Sequence, residues 1–476
     1  MRVGPVVALM VLSSCSQQDA ARAPAAGGPS DAADAPVAID ASDDSAIDHA
    51  SHPDAEDGID APADATSPPG PVVYPPDRTH SPITPFVATR LAHILEKNPS
   101  SRRDLFIKIG DSITVSGSFL HCFAGSSVQL DAHTALQPTL DLYRNATIAG
   151  TSPFNRTSLA AEVGRTAAWA ISADPSPIQQ EIAATNASVA VVMYGTNDIG
   201  WYGDDHVRTL VWFHDNMLNL VDQVIAGGIV PILSTIPHRD DSASHDAWVP
   251  TFNATIRALA QGRQVPLVDF YRELEPLADH GLGSDHVHPN TYAAGACVLT
   301  PDGLGKGFNV RNLITLEALD RVRRAAIDAQ KPIDTDAPTM QGAGTSSSPL
   351  LVQGNPFTDM RSTEDATSDV LNKYMGCSSN ADESGPEYVY RLDVTTPVRV
   401  RAIVLDGGDV DIDLHLLSGT VSESACVARN DTIIEADLTA GTWYFVLDTY
   451  VDGGVERAGE FTFVVLTCQP GDPACQ

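Results

Sequence analysis

Between residues 76 and 330, short apolar runs alternate with longer amphipathic segments, and this alternation constrains the fold more than any other feature of the sequence. Four runs have the length of buried strands, and they are Leu105–Ile109, Val189–Met193, Val230–Leu233 and Leu267–Phe270. Helix-length segments, such as Trp212–Ala226 and Phe252–Gln261, lie between or beside them. Because strands that alternate with helices indicate βαβ units, we predict an α/β domain over 76–330, a three-layer sandwich around a parallel sheet.

A different pattern, with no helical stretch, follows residue 352. Short alternating runs are separated there by Gly, Asp and Asn turns, and the runs are Tyr388–Val394, Val398–Leu405, Asp411–Leu417, Ile433–Asp437, Thr442–Leu447 and Glu460–Leu466. This spacing indicates a small all-β sandwich or jelly roll. We predict such a domain over 353–476, joined to the α/β domain by a Gly/Ser-rich linker over 331–352.

The first fifteen residues are organised like an export signal. Arg2 supplies a positive charge, Val6–Leu12 form a short apolar core, and Leu12-Ser13-Ser14-Cys15 resembles a bacterial lipobox. We predict a signal peptide over 1–15 and lipidation of Cys15, the alternative being an ordinary signal peptide with an incidental cysteine. An aspartate after the cysteine would favour the inner membrane. Because Ser16 stands there, we expect an exported lipoprotein at the outer membrane or cell surface.

The charge of the chain is strongly negative and unevenly distributed. Asp and Glu number 61 against 29 Lys and Arg, a formal net charge of −32. Eleven of the acidic residues lie between residues 23 and 71, a stretch that consists almost entirely of Ala, Asp, Pro, Gly and Ser and has no Lys or Arg. Such a segment buries too little apolar surface to offset the conformational entropy lost on ordering. We therefore predict a disordered linker over 16–75. The overall charge argues against nucleic-acid binding, so the expected membrane contact is the lipid anchor alone.

The cysteines are predicted to form disulfides. Removing Cys15 for lipidation leaves six, an even number, as expected for an exported protein in an oxidising compartment. Grouping them by domain suggests three bridges: Cys122–Cys297, Cys377–Cys426 and Cys468–Cys475. No pair of cysteines has the Cys-x-x-Cys spacing of a zinc site.

Three blocks of polar residues follow apolar runs of the α/β domain. Gly110-Asp111-Ser112 follows the first strand, Tyr194-Gly195-Thr196-Asn197-Asp198 follows the second, and Asp285 and His288 lie three apart near the end of the domain. Residues just past the carboxyl ends of parallel strands occupy the ligand-binding edge of an α/β sheet. An aspartate three residues before a histidine can orient the imidazole as a base. Together the blocks predict a nucleophilic serine with its base and an amide donor.

The order and spacing of these blocks resemble the SGNH (GDSL-type) serine hydrolases over about residues 82–325. The resemblance implies a flavodoxin-like fold in which Ser112 is the nucleophile and Asp285 and His288 complete the triad. It assigns the oxyanion hole to Ser112, Asn197 and a glycine N–H. Gly150 fits that glycine best, with Gly164 and Gly125 as alternatives. The family needs no metal or organic cofactor, so none is expected. His238 and the other scattered histidines have no partner pattern.

The C-terminal domain resembles the bacterial pre-peptidase C-terminal β-sandwich. The resemblance rests on Tyr388–Val394, on Asp409–Leu414 and on Gly441–Val446. Domains of this kind are thought to contact polymers or to assist secretion, so a polymer contact is a hypothesis. Alternation in the second segment would place Asp409, Asp411 and Asp413 on one strand face. There they form either a solvated acidic edge, the favoured interpretation, or a calcium site.

These observations predict a lipid-anchored serine esterase that hydrolyses carboxylic esters through an acyl-enzyme. O-acetyl groups on polysaccharide are the leading substrate hypothesis. A lipase or lysophospholipase of the same fold is one alternative, and a non-catalytic adhesion or scaffold lipoprotein is the other.

Overall fold

The computed structural model describes residues 71–328, 333–335, 337–377 and 381–468. All of them fall within one compact unit, Ala65–Gln476. The predicted signal peptide, the predicted lipidation site at Cys15 and nearly all of the predicted acidic linker lie outside the described residues, as does Cys475.

Four parallel strands form the sheet of the α/β domain, in the order β1-β2-β3-β4. The strands are β1 (Arg102–Gly110), β2 (Ala187–Met193), β3 (Val230–Ser234) and β4 (Leu267–Val268). Gly110 is paired with Met193, so β1 and β2 end side by side at their carboxyl ends. All residues of β2 and β3 are buried, as expected for a parallel sheet covered on both faces.

Ten α-helices accompany this sheet in the described residues. They are α1 (Pro85–Glu96), α2 (Ser112–Val115), α3 (Gln137–Asn145), α4 (Ala167–Ala170), α5 (Pro177–Thr185), α6 (His206–Ala226), α7 (Ala243–Asp246), α8 (Val249–Arg263), α9 (Phe270–Leu274) and α10 (Gly307–Val322). Their starts follow local chemistry: Asp205 caps α6, and Ser176 forms a capping box with Gln179 at α5. The predicted α/β class is confirmed, with strand and helix boundaries shifted by a few residues.

The C-terminal region forms two facing antiparallel sheets, which confirms the predicted β-sandwich. One sheet has the order β10-β9-β12-β7-β5 and the other β11-β8-β15-β6. The strands are β5 (Leu350–Leu351), β6 (Phe357–Ser362), β7 (Glu387–Val394), β8 (Val398–Leu405), β9 (Ile412–Ser418), β10 (Cys426–Asn430), β11 (Ile433–Leu438), β12 (Gly441–Thr449), β13 (Val451–Asp452), β14 (Val455–Glu456) and β15 (Glu460–Thr467). Among the strands of the described residues 337–377 and 381–468, only β5 departs from the antiparallel pattern, since it pairs in parallel with β7.

The sandwich packs directly against the α/β domain. Strands β6 and β15 lie on α8, and the side-chain amide of Gln261 donates to the Thr358 carbonyl at 2.7 Å. A Cβ on Gly262 would come within 2.6 Å of the Met360 Cβ, so glycine permits this close approach. Arg263 lies between two carboxylates, Asp222 on α6 and Glu460 on β15, at 2.6 and 2.5 Å. Polar and apolar contacts therefore join the two domains.

The chain is ordered on both sides of the predicted linkers. Residues up to 75 were expected to be disordered, yet Val72 and Tyr74 are buried, and the Tyr74 hydroxyl donates to the Val265 carbonyl at 2.9 Å. The segment 331–352 was expected to be a linker, yet Leu350 and Leu351 form β5. Both differences arise because apolar side chains at the ends of the predicted linkers are buried against the folded domains.

The three aspartates proposed as one strand face do not share a strand. Asp409 and Asp411 precede β9, which begins at Ile412. Asp413 lies in β9 but is buried and paired with the guanidinium of Arg429. The predicted alternation is wrong because the chain turns before the strand starts, so these aspartates form neither an acidic strand edge nor a calcium site along one face.

Within the described residues, no helix is both long and apolar enough to cross a membrane.

Candidate active site

The turn after β1 places Ser112 at the carboxyl edge of the sheet. Gly110 closes the strand, and a Cβ there would lie 2.6 Å from the Met193 carbonyl oxygen, so only glycine fits. The Asp111 side chain caps the short helix α2 by accepting from the Ile113 N–H at 3.0 Å. Ser112 is the first residue of that helix and remains partly exposed. The local sequence thus presents a serine hydroxyl on a constrained turn.

A buried arginine on α10 stabilises this turn through hydrogen bonds. Arg311, on α10, is 1% exposed and donates to the Ile113 carbonyl at 2.7 Å and to the Thr114 hydroxyl at 3.1 Å. Its guanidinium lies 3.7 Å from the ring centroid of Phe119. Burial lowers the pKa of Arg311 to about 9, against the opposing effect of the Asp111 charge. Burial likewise raises the pKa of Asp111 to about 6, against its hydrogen bond from Ile113 and the charge of Arg311.

Ser112, His288 and Asp285 form a chain of hydrogen bonds. The Ser112 Oγ is 2.8 Å from His288 Nε2, and His288 Nδ1 is 2.7 Å from Asp285 Oδ2. The other Asp285 oxygen accepts from the His288 N–H at 3.0 Å and the Val287 N–H at 3.2 Å. Partial burial tends to raise the pKa of Asp285, but these hydrogen bonds and the neighbouring imidazole outweigh it and lower the pKa. The carboxylate therefore stays ionised and orients the imidazole.

The loop that carries the last two residues is tightly closed. The Gly283 N–H donates to the His288 carbonyl at 2.8 Å, and the Asn290 N–H donates to the Gly281 carbonyl at 2.8 Å. His286 has a φ of +59° and an exposed side chain, so it lies outside this arrangement. The side chains of His288 and Asp285 are 40% and 54% exposed, which makes the site open to solvent on this side.

Asn197 reaches the same region from the loop after β2. Its side-chain amide donates to the Arg165 carbonyl at 3.0 Å and lies 3.5 Å from Asp111 Oδ2. The next residue, Asp198, is fully buried and accepts from the Gly195 N–H at 3.0 Å and the Ala167 N–H at 2.9 Å. Burial raises the pKa of Asp198 to about 7, against these hydrogen bonds. The loop that presents the amide is therefore anchored from inside the protein.

The structure contradicts the role predicted for Gly150. That residue lies in an exposed turn closed between Ile148 and Thr151, and the adjacent Thr147 carbonyl accepts from Arg102 at 3.0 Å. Arg102 begins β1, whereas Ser112 follows its end. Eight strand steps of about 3.3 Å separate the two ends of the strand by roughly 26 Å. Gly150 is therefore at the wrong end of the sheet to donate to an oxyanion beside Ser112.

The segment around Gly164, one of the two alternatives, lies at the carboxyl end of β1, the same end as Ser112. The Gly110 N–H donates to the Ala160 carbonyl at 3.1 Å, and the Glu162 N–H donates to the Gly110 carbonyl at 3.1 Å. Gly164, at a φ of +76°, lies two residues after Glu162 and directly before Arg165, whose carbonyl accepts from the Asn197 amide. Gly125 lies outside these contacts, at the end of the 3₁₀ turn His121–Ala124. The sequence alone did not show the strand-like pairing of 160–162 with Gly110, and this pairing is what distinguishes Gly164 from Gly150.

A disulfide joins the loops that flank the triad. Cys122 is bonded to Cys297, as predicted, and Cys377 is bonded to Cys426 in the sandwich. Beside the first bridge, the Thr291 hydroxyl donates to the Ser118 hydroxyl at 3.0 Å. The loop after the nucleophile is thus tied to the loop after His288. The third predicted bridge, Cys468–Cys475, involves a residue outside the described ones.

Aromatic side chains follow the Asn197 loop. Trp201 is 53% exposed and stacks flat on Trp212, with centroids 4.8 Å apart and an interplanar angle of 0°. Tyr202 meets Trp212 edge-on and carries the Arg208 guanidinium 4.0 Å from its ring centroid. These contacts hold an exposed indole face in a fixed orientation four residues after Asn197.

Two supporting residues were missed by the sequence reasoning. Arg311 could have been suspected, because it is the only basic residue of the helix-length segment Phe308–Leu319. Arg239, which donates to the Thr196 carbonyl next to Asn197, follows β3 without any distinctive motif.

Comparisons with known proteins give one family match. Residues 109–294 match the model of the GDSL-like Lipase/Acylhydrolase family, and this segment contains Ser112, Asn197, Asp285 and His288. No curated protein matches the chain.

Solved structures similar to the chain share little sequence with it. A GDSL-like lipase from Bacteroides thetaiotaomicron has 15% identity and a TM-score of 0.29, with 49% of this chain and 98% of that chain covered. A catalytic mutant of an acetylxylan esterase from Geobacillus stearothermophilus has 17% identity and a TM-score of 0.32, with 46% and 94% covered. The pre-peptidase C-terminal domain of a Bacillus anthracis collagenase has 12% identity and a TM-score of 0.17, with 25% and 95% covered.

At such TM-scores these likenesses carry no argument about function, and the assignment rests on the family match. That match places the Gly-Asp-Ser turn, the Asn197 loop and the Asp285–His288 loop within one recognised enzyme domain. Over residues 109–294 the α/β domain is accordingly similar to the GDSL-like lipase/acylhydrolase family, and the protein is a serine hydrolase of ester bonds.

Proposed function

We propose that the protein is an exported, lipid-anchored esterase that removes small acyl groups, with O-acetylated polysaccharide as its substrate. The observation that carries the proposal is the chain of contacts from Ser112 Oγ to His288 Nε2 at 2.8 Å and from His288 Nδ1 to Asp285 Oδ2 at 2.7 Å. A serine within hydrogen-bonding reach of an oriented imidazole is an activated nucleophile.

The proposed reaction proceeds through an acyl-enzyme. His288 Nε2 takes the hydroxyl proton as Ser112 Oγ attacks the ester carbonyl, and the oxyanion is stabilised by the Asn197 amide and the N–H groups of Ser112 and Gly164. Collapse of this intermediate expels the alcohol, which receives the proton from His288. Water then attacks the acyl-enzyme, with His288 again as the base, and releases the acid and Ser112.

Two features favour a sugar-bound acyl group over a lipid. The triad is open to solvent, with the His288 side chain 40% exposed, so a bulky alcohol portion can approach it. Trp201 presents a rigid, exposed indole face beside the Asn197 loop. Flat aromatic faces with a few polar neighbours are suitable surfaces for rings that have both apolar and polar faces.

The proposed location, anchored by lipid in an oxidising compartment, rests on the N-terminal sequence and on the cysteines. The lipobox ending at Cys15 supports a lipid anchor, and the acidic stretch that follows supports a spacer. The disulfides Cys122–Cys297 and Cys377–Cys426 support an oxidising compartment. Radiolabelled palmitate incorporated by wild type but not by Cys15→Ala would test the anchor, and equal labelling would contradict it.

The catalytic assignment is tested with Ser112→Ala. We expect hydrolysis of p-nitrophenyl acetate to fall by at least about 10³-fold, because removal of a nucleophile in such a triad leaves only binding and oxyanion stabilisation. The circular dichroism spectrum should not change, since a hydroxyl is replaced by hydrogen on a partly exposed residue. Turnover equal to wild type in a folded Ser112→Ala protein would remove the assignment and favour the scaffold alternative.

The substrate is tested separately with the wild-type enzyme. Acetate release from acetylated xylan, together with a maximum at the shortest chain in a p-nitrophenyl ester series, is expected. A maximum at long acyl chains would instead favour the lipase alternative.

A further inference from the structure

A cavity of about 460 Å³ lies between the α/β domain and the sandwich, and the reaction described above does not use it. Its wall includes Tyr271 and Glu275 from the α/β domain and Asn355 and Thr467 from the sandwich. Sites that bind small organic molecules have volumes of roughly 300–1,000 Å³ and often lie between domains. The size and position of this cavity therefore make it a candidate binding site.

Both walls of the cavity are fixed by hydrogen bonds. On one side the buried Arg257 donates to the Pro75 carbonyl at 3.1 Å and is paired with the buried carboxylate of Asp269. On the other side the Asn355 side-chain amide donates to the Thr467 hydroxyl at 2.6 Å, and its side-chain carbonyl accepts from the Thr467 N–H at 2.9 Å. The cavity is thus formed before any ligand binds.

The cavity continues along the edge of the sandwich. A second cavity, of about 240 Å³, lies against the turn between β7 and β8, with Thr395 and Thr396 in its wall. The two cavities share Asn355, Leu466 and Thr467, so they are adjacent parts of one depression, which we call the interdomain groove. An elongated groove of this kind suits an extended chain better than a compact molecule.

The interdomain groove and the triad lie at the same edge of the parallel sheet. Tyr271 and Glu275 follow the carboxyl end of β4, whereas Ser112 follows the carboxyl end of β1. Three strand spacings of about 4.8 Å separate β1 from β4, so these ends are roughly 14 Å apart. A polymer with one acyl group at Ser112 can therefore reach the groove with a more distant part of the same chain, whereas a small ester cannot.

Polar side chains occupy the surface between the groove and the triad. Glu275 contacts His238 Nε2 at 2.9 Å, and His280 stacks on His238 with ring centroids 3.7 Å apart. The side chains of Glu275 and His280 are 49% and 37% exposed. His280 directly precedes Gly281, whose carbonyl accepts from the Asn290 N–H in the loop of the triad histidine. A hydrated polar surface thus connects the two regions.

The charges in the wall of the larger cavity balance. Arg257 and Arg272 supply two positive charges, and Asp269 and Glu275 supply two negative charges. The whole chain has a formal net charge of −32, so an acidic polymer would be repelled overall and would find no excess of positive charge here. A neutral chain with many hydroxyl groups can instead donate to the carboxylates and accept from the guanidinium groups.

We propose that the interdomain groove binds the backbone of the polysaccharide whose acyl groups are removed at Ser112, an inference that rests on the function proposed above. Arg272 and Glu275 bind hydroxyl groups of a neutral chain, and Pro250 and Leu466 contact the apolar faces of its sugar rings. The sandwich then forms one wall of the substrate site. The polymer contact suggested by the sequence of the sandwich is accordingly shared with the α/β domain.

The first test measures binding of unacetylated xylohexaose, a neutral oligosaccharide, to the full chain by calorimetry. Wild type should bind it, and Arg272→Ala should weaken binding by about two- to tenfold through the loss of hydrogen bonds. Thr467→Trp places an indole where the two cavities meet and should abolish binding. Lys97→Ala, which removes an exposed basic residue directly after α1, should bind like wild type.

The second test compares acetylated substrates of different length. Arg272→Ala should raise the KM for acetylated xylan about two- to tenfold, and Thr467→Trp should raise it further. Both variants should hydrolyse acetylated xylobiose and p-nitrophenyl acetate like wild type, because these esters are too short to extend roughly 14 Å from Ser112. A general folding defect would instead lower activity on all three substrates.

The outcomes separate failure of the groove from failure of the proposed function. If wild type does not bind xylohexaose, or if both variants keep the wild-type KM for acetylated xylan, the groove proposal is overturned and the esterase assignment stands. Tighter binding of an acidic oligogalacturonate than of xylohexaose would also overturn it. Xylohexaose binding without acetate release from acetylated xylan would support the groove and contradict the proposed substrate.

Discussion

The replacement Arg311→Met tests whether the turn that carries the nucleophile depends on its buried cation. The arginine donates two hydrogen bonds, to Ile113 and Thr114, and its guanidinium lies over Phe119. Methionine fills a similar volume but can neither donate these bonds nor balance the buried charge of Asp111. The substitution therefore removes the polar contacts while leaving little cavity.

The expected loss follows from these contacts. Hydrogen bonds from a charged donor contribute about 1.5–3 kcal/mol each, and breaking a buried charge pair on one side costs about 3–5 kcal/mol. Because these terms overlap and methionine restores some apolar packing, we expect the free energy of unfolding to fall by about 3–5 kcal/mol. The turnover number should fall too, since the Ile113 carbonyl and Thr114 hydroxyl next to Ser112 lose their restraint.

The measurement is urea unfolding at pH 8, where Asp111 is ionised in the wild type, since its pKa is about 6. Four of the five tryptophans lie in the α/β domain, so their fluorescence reports mainly on that domain. Arg311→Lys keeps the charge but loses the planar fork and should cost less than Arg311→Met. The double variant Asp111→Asn/Arg311→Met should recover part of the loss, because no unbalanced charge remains.

Two results would refute this reasoning. One is an Arg311→Met protein within about 1 kcal/mol of wild type, since so small a change is typical of a surface substitution. The other is a double variant whose loss equals the sum of the two single losses, which would show that Asp111 and Arg311 do not interact.

Three further predictions concern the loop after β2. Asn197→Ala should lower the kcat for p-nitrophenyl acetate by about 10²–10³-fold with an unchanged circular dichroism spectrum, and near-normal kcat would remove it from the oxyanion hole. Asp198 has a raised pKa of about 7, so the folded state holds a proton that the unfolded state releases near pH 4, and its contribution to stability falls as pH rises through this window. The stability of wild type relative to Asp198→Asn should therefore decrease between pH 5 and 7, by at most about 1.4 kcal/mol per pH unit, and a pH-independent difference would contradict the shift. Trp201→Ala should raise KM for acetylated xylan about two- to tenfold and leave p-nitrophenyl acetate hydrolysis unchanged, an equal effect on both substrates being the contrary result.

The sequence was most informative where one residue type is required by local chemistry. Gly110 and Ser112 could be placed because a strand that runs into a tight turn has few alternatives, and Asp285 and His288 because three residues separate them on one loop. Their approach to within hydrogen-bonding distance of one another depends on the parallel order of the strands, which the alternation of strands and helices already indicated.

Features that depend on long-range contacts could not be placed in the same way. Gly150 and Gly164 are both glycines in loops between the same two strands, and only the pairing of 160–162 with Gly110 distinguishes them. Asp409 shares the alternating pattern of a strand but precedes one, because the turn before Ile412 overrides the local preference. The contact between His238 and Glu275 has no motif, since the two residues lie 37 positions apart in the sequence.

The Cys122–Cys297 bond has a consequence for when the enzyme becomes competent. It closes a sequence separation of 175 residues and joins the loop after Ser112 to the loop after His288. In a reducing cytosol this covalent bond would not persist, so the newly made chain would have its triad residues on loops held only by weaker contacts. If the protein is exported, as proposed, oxidation outside the cytosol would then align them. Under the proposed export, a cell that makes this hydrolase would thereby delay its full activity until the chain had left the compartment that contains the cell's own esters.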